Sequence, residues 1–171
     1  LVSEHIDLAI RAGALADSGL YARHLFDVRL KLFATPEYLA AMPAIMEPAQ
    51  LLDCNLLTLK TIHTLSFQRA GIAHKIPIKT QTGNVQANEM NTLIAFCIAG
   101  TGVALLPDVS VRSYVAQGQL VEILPDCIFD AVPIHALTPE KNPPARVRRL
   151  IEHLKEQQDA AYFINQNKSQ R

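Results

Sequence analysis

Apolar residues recur at Met90, Leu93, Ile94, Cys97 and Ile98. That spacing of three and four lines up one continuous apolar stripe on a helix. It predicts an amphipathic helix over 89–99, with Asn88 as its N-cap. The run Ala99-Gly100-Thr101-Gly102-Val103-Ala104-Leu105-Leu106-Pro107 follows directly. The helix should end at the first glycine, the second should serve a tight turn, and 103–106 should be a buried strand that Pro107 stops.

The pattern upstream is mostly extended. Residues 6–11 are largely apolar and predict a buried parallel strand, followed by a loop over 12–18 that holds Gly13, Asp17 and Ser18. Short strands are expected at 21–25 and 28–34. Thr35-Pro36-Glu37 has the order of an N-cap, a first-turn proline and an acidic residue at the positive end of a helix. A connector over 43–48 leads to a strand at 55–59, with which 65–68 should pair weakly. Gly71 marks a turn, and 75–81 alternates as a half-exposed strand that Pro77 confines to an edge. Downstream, Asp108 should cap a helix through Val115 that ends at Gly118. Strands are expected at 120–124 and 132–137. Pro143-Pro144 opens a last helix whose apolar stripe is Val147, Leu150, Ile151 and Leu154. Strands alternating with helices predict an α/β architecture with a parallel sheet. The extended segments at 25–34 and 118–124 suit two crossings between lobes.

Composition narrows the function. The chain has 171 residues and 49% hydrophobic content, enough to bury a core. Lys plus Arg equals Asp plus Glu at 16 each, so the basic excess that phosphate binding demands is missing, and this stretch is not expected to hold DNA by itself. Cys54, Cys97 and Cys127 are odd in number and widely spaced, which predicts small buried hydrophobes in a reducing compartment. No apolar run reaches the roughly 20 residues of a membrane span. His5, His24, His63, His74, His135 and His153 lack ligand spacing, so no metal is expected. No nucleophile elbow surrounds Ser18, Ser66 or Ser110, and the pair Gly100 and Gly102 lacks the third glycine of a dinucleotide fingerprint. No cofactor is expected, and no enzyme activity. Asn167-Lys168-Ser169 is a formal glycosylation sequon at the polar end of the chain, where 165–171 should form a flexible tail.

Four blocks together resemble one family. They are Asp7-Leu8-Ala9-Ile10-Arg11-Ala12-Gly13, Ala34-Thr35-Pro36-Glu37-Tyr38-Leu39, the Ala99–Pro107 run, and Gly118-Gln119-Leu120-Val121-Glu122-Ile123-Leu124-Pro125. In order and spacing they are similar to the effector-binding domain of LysR-type transcriptional regulators, over about residues 5–158. The resemblance implies a two-lobed, type-2 periplasmic-binding-protein-like α/β fold with hinge crossings, binding a small effector between the lobes. On it, lobe one comprises 1–27 and 125–164, and lobe two comprises 28–124 with the crossing strands. It also implies that the DNA-reading helix-turn-helix and the first units of lobe one lie upstream, leaving lobe one incomplete here. Phe67 is a candidate replacement for a tryptophan that the family often carries.

Carried onto this chain, the effector-binding residues are Arg11, Ala12 and Gly13 after the first strand, with Gln86, Asn88, Glu89 and Met90 at the start of the lobe-two helix. Chemistry supports the assignment. Ligands of open α/β sheets sit beyond the carboxyl ends of strands, a helix N-terminus offers free N–H groups, and Arg11 could clamp a carboxylate. Arg11 could equally pair with Asp7, Asp17 or Glu4, Asn88 could simply cap the helix, and Glu89 opposes an anionic ligand. The implied protein is a cytoplasmic regulator, a homodimer or homotetramer, whose partners are a small-molecule effector and, through the upstream helix-turn-helix, DNA. A solute-binding protein of a transporter is the alternative with the same fold.

Overall fold

A computed structural model of the chain describes residues 6–15, 19–78 and 84–156. Asp17, Ser18, Gln81 and the expected tail at 165–171 lie outside them. In chain order the elements are β1 (Ala9–Ala12), β2 (Tyr21–Val28), β3 (Leu30–Ala34), α1 (Pro36–Ala40), a 3-10 helix (Pro48–Asp53), β4 (Leu56–Leu59), β5 (Thr64–Arg69), β6 (Ile72–Pro77) and β7 (Val85–Ala87). They continue with α2 (Met90–Ile98), β8 (Val103–Pro107), α3 (Asp108–Ala116), β9 (Val121–Ile123), β10 (Ile128–Phe129), β11 (Val132–Thr138) and α4 (Ala145–Glu156).

The chain divides into two compact units, Leu1–Val28 with Ala131–Arg171, and Arg29–Asp130. The first passage between them falls inside the expected crossing at 25–34. The other expected crossing, 118–124, lies wholly within the second unit. Residues 125–130 belong to that unit too, rather than to lobe one, because β10 pairs with β5.

The first unit is a three-stranded sheet in the order β1-β11-β2, antiparallel throughout. The buried parallel strand expected at 6–11 is instead a short strand whose residues are mostly exposed. Val147, Ile151 and Leu154 of α4 pack with Leu25 and Ala136. Leu150, expected in that stripe, is 46% exposed. It falls at the stripe's edge, since 3.6 residues per turn rotate it away from the other three.

The second unit holds a five-stranded sheet in the order β7-β4-β8-β3-β9. β4 runs parallel to β7 and β8, whereas β3 is antiparallel to both β8 and β9. Four strands therefore share one direction and β3 opposes them. The parallel pairing expected from sequence is confined to β7, β4 and β8. Strands that share a direction need crossover connections: α2 carries the chain from β7 past β4 to β8, and α3 from β8 past β3 to β9. Leu93, Ile94 and Cys97 of α2 and Val111 of α3 bury against Phe33, Leu57, Ala104 and Leu106. The α2 stripe is thus as expected, with Met90 and Ile98 at its margin.

The opposite face of the sheet packs on Leu51, Leu65, Phe67, Ile76 and Phe129. Phe67, 3% exposed, is a core residue. β5 does not pair with β4 as expected; it lies between β10 and β6 in a separate antiparallel sheet. The β5–β6 hairpin turns on Ala70 and Gly71, both at positive φ, the backbone a two-residue turn requires. β6 ends at Pro77 and is an edge strand, in keeping with the missing donor of proline.

Local signals at chain ends of elements fare unevenly. Thr35 caps α1 by accepting from the Tyr38 N–H at 3.2 Å. Pro107, not Asp108, occupies the cap position of α3, and Asp108 stands in its first turn. Gly100 takes φ +71°, and a Cβ on Gly102 would lie 2.2 Å from the Asn55 carbonyl oxygen. That close approach lets the Val103 N–H donate to the same oxygen at 2.9 Å.

Candidate functional site

The residues singled out from sequence fall into two groups, one in each unit. In the first unit Arg11 and Ala12 end β1, both exposed. Gly13 follows at φ +88° and donates its N–H to the Pro133 carbonyl at 2.9 Å, which extends the β1–β11 ladder by one step. Arg11 makes no ion pair with any described residue. Asp7, one of its proposed partners, is taken by Arg146 at 2.8 Å. Glu4 and Asp17 lie outside the described residues.

In the second unit Gln86 is exposed on β7 opposite Thr58 of β4. Asn88 is exposed but does not cap α2. Glu89 holds the cap position in extended conformation, with no side-chain hydrogen bond to the first turn. β7 ends at Ala87, and the helix starts one residue later than the sequence suggests, after a bend at Asn88 and Glu89. The consequence is an α2 N-terminus whose leading N–H groups are left uncapped by side chains, with its positive dipole end unshielded except by Glu89. Met90 begins the helix and packs onto the core.

Sequence spacing gave no hint of a third grouping. Register aligns Arg11 with His135, and His135 with His24. His24 Nε2 lies 2.9 Å from Asp27 Oδ1, and the two imidazoles meet edge to face at 5.6 Å between centroids. His135 Nδ1 is buried without a hydrogen-bond partner. Such a row joins residues more than a hundred positions apart, so only strand pairing could expose it.

The remaining polar chemistry is self-contained. A cavity of about 260 Å³ in the second unit lies between the 3-10 helix and the β5–β6 hairpin, floored by Phe67 and rimmed by Arg69 and His74. His74 stacks on Phe67. Arg69 donates to Asp126 at 2.5 Å, to Glu47 and to the Met46 carbonyl. The hydrogen bond from Arg69 holds the Asp126 carboxyl below its usual range. All three cysteines are free and buried, as expected. Burial pushes the Cys97 thiol up to about 12 and raises Cys54 and Cys127 as well. Such protonated thiols make poor nucleophiles. Among the described residues no group of three His, Cys, Asp or Glu could hold a metal, and no helix is long and apolar enough to cross a membrane.

Residues 1–159 match the LysR substrate binding domain family. The chain belongs to that family. This LysR domain is 36% identical over 160 residues to the HTH-type transcriptional regulator PtxR of Pseudomonas aeruginosa, covering 91% of the chain and 50% of PtxR. It spans about half the length of the curated relatives it matches. Among solved structures it is similar to the regulatory domain of CrgA, a LysR-type transcriptional regulator from Neisseria meningitidis. That likeness has a TM-score of 0.74 at 30% identity, covering 92% of this chain and 78% of that one. It is also similar to the full-length Vibrio cholerae virulence activator AphB, with a TM-score of 0.75 at 26% identity, covering 91% of this chain and 53% of that one. The fold of the LysR domain is therefore the one its sequence blocks implied.

Proposed function

We propose that this LysR domain senses a small-molecule effector and thereby sets the activity of a longer, DNA-binding transcriptional regulator. The observation that carries this reading is the family match over residues 1–159, with relatives that are named as transcriptional regulators. Those relatives favour sensing over solute transport. On this reading the domain catalyses nothing. It works in the cytoplasm as part of a homodimer or homotetramer, and DNA is held by a helix-turn-helix outside this chain. On this reading the effector-contacting residues are Arg11, Ala12, Gly13, Gln86, Asn88, Glu89 and Met90. Arg11 supplies a two-pronged cation, and the uncapped start of α2 supplies N–H donors. The effector acts by binding one arrangement of the regulator more tightly than another, since equal affinity shifts nothing.

Calorimetry with candidate effectors tests the site. Arg11→Ala should weaken an anionic effector by about tenfold or more, the equivalent of one charge-assisted hydrogen bond. Asn88→Ala should act less, because the backbone N–H groups remain. Unchanged affinity in Arg11→Ala removes Arg11 from the site. A gel shift with this chain alone should show no sequence-specific duplex binding at physiological salt, given 16 basic and 16 acidic residues. Specific submicromolar binding would contradict the assignment of DNA reading to a separate segment.

A further inference from the structure

We infer that His135 and His24 extend the Arg11 group into a seat for a small organic monocarboxylate with an apolar body. The inference rests on the effector-sensing reading above and names the class of ligand. Antiparallel register puts Arg11, His135 and His24, from three neighbouring strands, in one row on one face of the first unit's sheet. This row holds hydrogen-bonding capacity that the described protein leaves unused. Arg11 has no ion pair with a described residue. His24 commits Nε2 to Asp27 at 2.9 Å, which leaves Nδ1. His135 Nδ1 is buried with no partner. A half-turn of the His135 ring exchanges its nitrogen and carbon edges. Because Nδ1 has no hydrogen bond to lose, that turn sacrifices none there.

A carboxylate satisfies these groups together. Its two oxygens match the planar fork of Arg11, and either accepts an imidazole N–H. Asp27 selects against higher charge, since its carboxylate repels a dianion more than a monoanion. One step along the sheet, Ala9, Leu137 and Ala22 form the next row on the same face. The two alanines leave room beside the buried Leu137 for an apolar body attached to the acid.

The test is a titration of the chain with butyrate, followed through the ring signals of His24 and His135 and the amide signals of 11–13 and 86–90. Inorganic phosphate and 1-butanol serve as comparators. Butyrate should shift both rings saturably, phosphate should bind at least about tenfold more weakly, and 1-butanol should shift neither ring. Arg11→Ala and His135→Gln should each weaken butyrate about tenfold. His24→Gln, at an exposed position, repeats the test if His135→Gln fails to fold. If the 11–13 and 86–90 amides respond while the rings stay still, the seat is refuted and the sensing site stands. If the rings respond while 86–90 stay still, the seat stands and the site shared by the two groups fails. Equal binding of phosphate overturns the monocarboxylate assignment, and stillness of every signal overturns the seat.

Discussion

Single residues in this chain are governed by space and burial more than by propensity. Gly102 is needed because a side chain there would meet backbone: its Cβ would sit 2.2 Å from the Asn55 carbonyl oxygen. Gly102→Ala should destabilise the chain by about 1–3 kcal/mol or more, because that oxygen also holds the Val103 N–H and cannot retreat freely. Urea melts check this, and a loss under a few tenths of a kcal/mol would show that the strand yields. The sequence placed a turn at Gly102 but could not reveal the reason, which depends on a residue 47 positions earlier. Cys97 offers a test in pH. Its ordinary value is 9.0 and its folded value about 12. Below pH 9 both folded and unfolded chains keep the proton. Between 9 and about 12 only the unfolded chain releases it, so stability falls as pH rises through that window. Cys97→Ala should lose stability overall yet show a shallower decline between pH 8 and pH 10.5. Equal slopes would mean the thiol is not shielded.

Elements were legible where their signals are local. The α2 stripe and the Thr35-Pro36-Glu37 start of α1 follow from spacing and capping chemistry within a few residues. Leu93 is fully buried against the β-sheet, so Leu93→Ala should cost about 2–5 kcal/mol. A loss below about 1 kcal/mol in denaturant melts would mean that α2 packs loosely. Strand partners were not legible, because register depends on residues far away in sequence. This is why the sequence suggests a weak pairing of β5 with β4 and a parallel β1, and the structure has neither. The misplaced caps of α2 and α3 have a simpler origin. Asn88 and Asp108 are good capping residues, but the last non-helical residue is Glu89 in one case and Pro107 in the other. The candidate site inherits both sides of this contrast. Its α2 half could be read from a helix start. The row through Arg11, His135 and His24 could not, since it exists only once β1, β11 and β2 are aligned.

At the scale of the whole molecule, one unit is continuous in sequence and the other is not. Residues 29–130 carry two apolar clusters of their own. Expressed alone, this stretch should fold cooperatively, with slow amide exchange in β3, β4 and β8. A molten spectrum without dispersed signals would show that it depends on the flanking segments. The strand order β1-β11-β2 has a different consequence for the flanks. β1 and β2 are synthesised before β11, yet neither pairs with the other, and both pair with β11. The backbone groups that they offer to β11 must wait in water until residues beyond Ala131 have been synthesised. During synthesis residues 29–130 can therefore mature while these two strands still lack β11, open to proteases and chaperones. The Arg11 row exists only once β11 does.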